Sequence, residues 1–364
     1  MDIRSLVRRE ILDLRRYEPG TTRPGYIKLS SNENPRSPHA GIVDAVCRAM
    51  RTANRYPASG VPELTKALAD RHGVSPGEIM VGNGSNEIID LLVRAFAGPG
   101  LNVVYPRPSF IVYGLIPSIC GCQGIPVDCV NYRLDLKAIR RAINKNTRLI
   151  FICNPNNPTS TYVTDEELGA FLDQLPEDVL VVMDEAYVDY VDAPDYPDSL
   201  ELRARRNTIV TLRTFSKFYA VAGLRVGYAV ADPAVIDILH RVRQPFNVNA
   251  LATAAALAAI EHTTDLRPMA DETIRERRRL RSVLLELGYT CPPSQTNFVF
   301  SDLGESSFDL YSALIEHNII IRRLGQFGAS RNAYRITVGT PEENDLLIAA
   351  LRTVAGASGE RSPR

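Results

Sequence analysis

The sequence predicts an α/β protein with a large domain on a mainly parallel sheet and a smaller α+β C-terminal domain. Short continuous apolar runs, such as Arg148–Cys153, Val179–Met183 and Thr208–Leu212, alternate with segments of helical spacing. That is the pattern of a parallel sheet covered on both faces. After Pro292 and Pro293 the pattern changes to brief strands mixed with helices. The 364 residues, 45% of them hydrophobic, are enough for two or so domains.

In chain order, residues 1–35 read as an N-terminal arm. A polar helix-like start reaches Arg16, and Tyr17–Pro24 breaks it with two prolines and a glycine. Ile27–Ser30 is a short extended run that leads into the turn-rich Ser31–Pro35. The large domain spans 36–260. His39–Met50 and Val61–His72 are helical, the second with Pro62 in its first turn and Gly73 past its end. Ile79 opens a strand ending in Gly82-Asn83-Gly84, after which Ser85 reads as the N-cap of a helix reaching Phe96. Leu101–Tyr105 is a strand, Pro106–Tyr113 a loop turning into a helix, and Leu134–Ile143 a helix. The strand Arg148–Cys153 ends in the proline-fixed loop Asn154–Thr159. Thr164 caps a helix to Leu175, and strands Val179–Met183, Thr208–Leu212 and Leu224–Val230 follow. Asp232–Arg243 and Asn249–Glu261 are helices. The smaller domain spans 261–356 and opens with a long helix, Asp265–Leu287, whose basic cluster Arg275–Arg281 reads as a solvated face. Strands Asn297–Phe300, Ile319–Arg322 and Tyr334–Val338 alternate with helices Ser307–His317 and Pro341–Val354; the tail, 357–364, reads as disordered.

Acidic and basic residues number 42 each, so no net field points to nucleic acid or a membrane surface. The N-terminus has no apolar core of a signal peptide, and no run has the length of a membrane helix. A cytoplasmic location is expected. The six cysteines form no C-x-x-C pair and the five histidines no ligand spacing, so no metal is expected.

Lysine occurs only at 28, 66, 137, 145 and 217. Lys217 follows an apolar strand and Ser216, and Arg225 lies eight residues on. An amine beside a fixed cation suits a Schiff base with a phosphorylated aldehyde, although a lone lysine is ordinarily a surface residue. The helix start at Gly84, Ser85 and Asn86 is an anion cup. It is not a dinucleotide fingerprint, because Glu87 stands at the third glycine. In parallel sheets chemistry sits beyond the carboxyl ends of the strands. Asn157, Asp184 and Lys217 all fall there. Phe110 has core packing and ring stacking both open to it.

Most of these residues lie within motifs that occur together: Tyr17–Gly20, SNENP (31–35), NRYP (54–57), GNGSNE (82–87), NPNNPT (154–159), DEAYVDY (184–190), TFSK (214–217), AGLRVGY (222–228), PFNVN (245–249), SQTNFVF (294–300) and RITVGTPEEN (335–344). In order and spacing, over nearly the whole chain, they resemble the fold-type I pyridoxal-phosphate-dependent aminotransferases, and within them the histidinol-phosphate aminotransferase group. The resemblance implies a large fold-type I domain and pyridoxal 5'-phosphate as cofactor. It implies that Lys217 anchors the cofactor and moves the substrate proton, that Asp184 pairs with the ring nitrogen, and that Tyr187 and Asn157 bond its phenolic oxygen. Phe110 would stack on the ring, and Gly84, Ser85, Asn86, Thr214, Ser216 and Arg225 would hold the phosphate. Tyr56 would reach the phosphate in a neighbouring subunit, making the active unit a homodimer with shared sites. Arg335 would grip the substrate, with Asn157 beside it, and Arg322 and Tyr17 would hold a distal anion; Arg323 is a weaker candidate for the same task.

The chain departs from the family pattern at Ser160, where glycine is usual, after NENP, and at Phe218 and Ala220. None of these touches a catalytic atom, so they bear on substrate choice. The expected reaction is ping-pong amino transfer between glutamate with 2-oxoglutarate and histidinol phosphate with imidazole-acetol phosphate. Aromatic amino acids are the alternative substrates, and a specialised biosynthetic enzyme on this scaffold is a third reading. A phosphothreonine decarboxylase is related, but PFNVN and RITVGTPEEN lean against it. A non-catalytic cofactor-binding regulator would need a DNA-binding module, for which an arm of about 35 residues is too short.

Overall fold

The computed structural model describes residues 2–12, 14, 16 and 20–357. Tyr17 and the tail 358–364 lie outside the described residues. In chain order the strands are β1 (Ile27–Lys28), β2 (Ile79–Gly82), β3 (Asn102–Arg107), β4 (Gln123–Asp128), β5 (Thr147–Cys153), β6 (Leu180–Asp184), β7 (Ile209–Thr214), β8 (Gly227–Val230), β9 (Phe298–Asp302), β10 (Ile319–Ile320), β11 (Arg322–Arg323) and β12 (Ala333–Thr337).

Seven of them form the central sheet, in the order β2-β8-β7-β6-β5-β3-β4. β3 to β7 and β4 pair in parallel, whereas β8 runs antiparallel to both β7 and β2. Alternate residues go to opposite faces of a strand. Phe151 and Val182 enter one apolar cluster, while Ile150, Ile152, Val181 and Met183 enter another. The unbroken apolar runs are therefore accounted for by burial on both faces.

The small domain is an antiparallel sheet in the order β11-β12-β9. The helix Thr263–Glu286 joins the two parts, burying Leu266 and Ala270 in one core and Leu280, Val283 and Leu284 in the other. The arm is tied to the small domain, because β1 pairs with β10 and Leu29 sits in that core.

Some expectations need correction. The helix Ser85–Phe96 is capped by Gly84, not by Ser85, and no side chain caps it. Gly84 has φ +76 and ψ 158, a region open to glycine alone. β8 starts at Gly227 instead of Leu224, because Ala222–Leu224 form a tight turn and Arg225 takes φ +59. The edge strand β4 and the helix Ser199–Arg205 were not expected. β4 carries Pro126, which an edge strand tolerates and which masks it in the sequence. The basic cluster is not wholly solvated. Arg277 is buried, donating to the carbonyls of Tyr190 and Thr296 and to Asp192 at 2.8, 3.1 and 2.7 Å.

Candidate active site

β5, β6 and β7 point their carboxyl ends to one edge of the sheet. Because β8 runs the other way, it begins at that edge, and β2 ends there. A cavity of about 410 Å³ opens beyond it. Ser85, Asn86, Phe110, Asn157, Asp184, Tyr187, Thr214, Ser216, Lys217, Arg225, Arg322 and Arg335 all line it. Of the expected residues, Gly84 sits just beneath and Tyr56 lies elsewhere, 82% exposed and stacked on Phe246 at 4.6 Å.

One end of the cavity is a cradle for an anion. A Cβ on Gly84 would lie 2.6 Å from an Arg225 nitrogen, and one on Gly227 would lie 2.5 Å from the Ser85 amide nitrogen. Both positions need glycine, and the helix start is thereby pressed against β8 and Arg225. Arg225 Nη1 donates to Ser216 Oγ at 3.2 Å, and the Ser216 amide donates to Thr214 Oγ1 at 3.1 Å. Helix-start amides, a hydroxyl and a guanidinium on one wall suit an anion.

Asp184 ends β6 and is 4% exposed. Tyr113 donates to its Oδ2 at 2.5 Å and the Ala186 amide to its Oδ1 at 3.2 Å. Burial pushes this carboxyl up, while the Tyr113 hydroxyl, the Ala186 amide and the Lys217 charge pull it down. It forms no ion pair among the described residues. A buried carboxylate without a cation beside it favours a positively charged group within hydrogen-bond reach.

Lys217 is half-buried, with its amine 3.4 Å from the Ser31 carbonyl oxygen and 5.8 Å from the Tyr187 ring centre. Burial pushes the amine down to about 7, helped by the Arg335 and Arg225 charges and opposed by Glu33 and Asp184. Such an amine is available as a nucleophile near neutral pH.

At the other end, Arg322 and Arg335 stand opposite each other across β11 and β12. Arg335 donates to Asn157 Oδ1 at 2.6 Å and to the Ser30 carbonyl at 2.7 Å. The Arg322 guanidinium lies 5.1 Å from the Phe327 ring centre. Alternation along β11 turns Arg323 the other way, onto Asp309 and over Tyr311. A larger cavity, about 670 Å³, adjoins through Gly20 and Arg322 but holds neither the lysine nor Asp184.

Sequence reasoning missed Tyr113 and Asn32. Tyr113 is one helical turn beyond Phe110, which would have been its only signal. Asn32 lay within a motif already singled out, but its bond to Tyr187 joins residues 155 positions apart. Away from the cavity, His39, His262 and Asp265 come together. His39 Nδ1 accepts the Gly41 amide and His262 Nδ1 meets Asp265 at 2.9 Å, so these nitrogens are engaged at two helix starts.

The lowered amine has a consequence for the cofactor-free protein. An unfolded lysine keeps its proton to about 10.5, whereas the folded one releases it near 7. The unfolded chain then binds more protons between these values, and stability rises with pH across them. Lys217→Met, which removes the amine, is expected to stabilise the apoprotein most below pH 7, with the gain shrinking as pH rises to 10.5. Urea unfolding at several pH values measures the gap, and a constant gap refutes the assignment.

The aminotransferase class I and II family pattern matches residues 24–351. An aromatic amino acid aminotransferase of Mycolicibacterium smegmatis is 40% identical over 358 residues, covering 98% of both chains. A histidinol-phosphate aminotransferase 2 of Pseudomonas fluorescens is 40% identical over 328 residues, covering 90% of this chain and 88% of that one. Among solved structures, the histidinol-phosphate aminotransferase of Sinorhizobium meliloti, in complex with pyridoxal-5'-phosphate, superposes with a TM-score of 0.85 at 27% identity, covering 92% of each chain. With the anion cradle, the buried Asp184 and the lowered Lys217 amine, these likenesses place the chain in the fold-type I aminotransferases, in the histidinol-phosphate aminotransferase group, as a pyridoxal-phosphate-dependent enzyme.

Proposed function

We propose that the chain transfers an amino group between glutamate with 2-oxoglutarate and histidinol phosphate with imidazole-acetol phosphate. The carrying observation is the lowered, half-buried amine of Lys217 in one cavity with Asp184 and two arginines. The bound cofactor contributes an electrophilic aldehyde and an electron-accepting ring. Lys217 would hold that aldehyde and, once the substrate's amine has displaced it, would carry the α-proton with the freed amine. Asp184 would keep the ring nitrogen protonated. Gly84, Ser85 and Asn86, with Thr214, Ser216 and Arg225, would hold the phosphate, while Phe110 would cover the ring. Tyr187 and Asn157 would bond the phenolic oxygen, and Arg335 would orient the substrate with Asn157.

Two guanidiniums facing one cavity suit glutamate, with its two carboxylates, and a phosphorylated partner. Tyr17 would assist Arg322 from the arm. The aromatic reading is supported by the relative of that name and by Phe110 and Phe327 in the cavity wall. The exposed stack of Tyr56 on Phe246 fits a homodimer in which Tyr56 completes the partner's phosphate site. Six unpaired cysteines fit the cytoplasm.

Four measurements test this. Lys217→Ala is expected to remove the visible absorbance of the bound cofactor and to lower turnover by at least ~10³-fold; retained turnover rules out the lysine's role. Arg322→Ala is expected to lower kcat/KM for histidinol phosphate and glutamate by about 10–100-fold, as for lost charge-assisted hydrogen bonds, and for phenylalanine much less. If the wild type converts only phenylalanine or tyrosine, and not histidinol phosphate, the aromatic reading replaces the first. Sedimentation is expected to give a dimer, and a monomer with full activity overturns the shared site.

A further inference from the structure

Three consecutive residues of the arm each bond a different group of the cavity. The Ser30 carbonyl accepts from Arg335, the Ser31 carbonyl from the Lys217 amine, and Asn32 Nδ2 donates to the Tyr187 hydroxyl oxygen at 2.9 Å. Asn32 is the most constrained of the three. It is 1% exposed and has φ +54, in the left-handed region. Its amide nitrogen donates to Thr337 Oγ1 at 2.9 Å, and its carbonyl accepts from Asn297 Nδ2 at 3.1 Å. The Thr337 hydroxyl in turn donates to Asn32 Oδ1 at 3.3 Å. That pairing turns the oxygen of the Asn32 amide toward Thr337 and its NH2 group toward Tyr187.

The phenol oxygen of Tyr187 thus accepts a hydrogen bond, and its own hydrogen meets no acceptor among the described residues. Tyr187 is 3% exposed and lines the cavity. A buried donor left without a partner is costly unless a ligand completes it.

We propose that Asn32 is a positioning residue that commits the Tyr187 hydroxyl proton to the cavity, where it meets the anionic phenolic oxygen of the cofactor. This rests on the reading that Tyr187 bonds that oxygen. An amide that donates to the phenol also polarises its O–H bond and strengthens the donation onward. Hydrogen bonding to a charged oxygen favours the charged form, so the bond lowers the pH at which the bound cofactor loses its proton. Through Thr337 and Asn297 the same residue is held by the small domain, so the direction of the proton depends on how that domain is seated.

Asn32→Asp tests this with little change of shape, because aspartate also tolerates a left-handed backbone. A carboxylate cannot donate; Tyr187 then turns its proton to residue 32 and away from the cavity. In the holoenzyme the pH midpoint of the visible absorbance change is expected to rise by about one unit, a tenfold change in the protonation constant. Equilibrium dialysis of the apoprotein should show cofactor binding weakened about tenfold by the loss of one charge-assisted bond.

The added charge acts through space whether or not Tyr187 has a hydroxyl, so the same change is made in a Tyr187→Phe background. There the midpoint shift from Asn32→Asp is expected to be at least about threefold smaller in the protonation constant, the mark of direct coupling. Equal shifts in both backgrounds overturn the proposal. If Tyr187→Phe alone leaves the midpoint unmoved, the reading of Tyr187 itself fails. Should Asn32→Asp not fold, Asn32→Gly keeps the left-handed turn and removes the donor. It is expected to raise the midpoint by about threefold in the protonation constant, and only when Tyr187 is present, as a coupled pair requires; a midpoint at the wild-type value overturns the proposal.

Discussion

A lysine amine is a nucleophile only after it has lost its proton, and water opposes that loss at neutral pH. Withdrawing Lys217 from water is the constraint that the surrounding architecture meets. Its balance is local: burial, Arg335 and Arg225 drive the proton off, while Glu33 and Asp184 restrain the effect. Each of these charges is delivered by a different element. β6 brings Asp184, the turn before β8 brings Arg225, β12 brings Arg335, and the arm brings Glu33. The parallel strands alone would gather Asp184 and Lys217. The single reversal at β8 adds the wall bearing Arg225, because it starts a strand at the edge where the others stop.

The parts legible in the sequence were those set by local pattern. The apolar runs of β5, β6 and β7 stop abruptly at polar residues, so the end of each strand, and hence the edge bearing Asn157, Asp184 and Lys217, could be read directly. Caps followed the same logic, as at Thr164, whose side chain pairs reciprocally with Glu167. Local rules failed where tertiary contact decided. Ser85 has the chemistry of a cap, yet Gly84 takes that place because Arg225 packs where a side chain would be. Arg277 has the look of a surface residue, yet the carbonyls of Tyr190 and Thr296 draw it inward. Tyr113 and Asn32 act on Asp184 and Tyr187 across 71 and 155 residues, and no periodicity reports such distances.

The arm shows how one short segment can serve two domains. Leu29 is sewn to the small domain by its amide, which donates to the Ile320 carbonyl, and by its carbonyl, which accepts from Thr337. The next three residues then reach Arg335, Lys217 and Tyr187. Ser160 makes a comparable contribution from the large domain. It holds φ +63 and is fully buried, with its amide donating to the Asn156 carbonyl at 2.8 Å, so the NPNNPT loop keeps its shape without the glycine common at that place.

The scarcity of lysine has a chemical meaning of its own. Arginine supplies all but five of the 42 basic side chains. Guanidinium groups do not condense with carbonyl compounds under conditions where a free amine does, because they remain charged. Lys28 and Lys66 are also engaged in ion pairs with Glu33 and Asp70. A protein that handles reactive aldehydes and ketones thus presents few sites for stray adducts. The surface is chemically quiet toward the very functional group that the cavity is built to capture, and selectivity for the productive amine begins with the amino acids the rest of the chain leaves out.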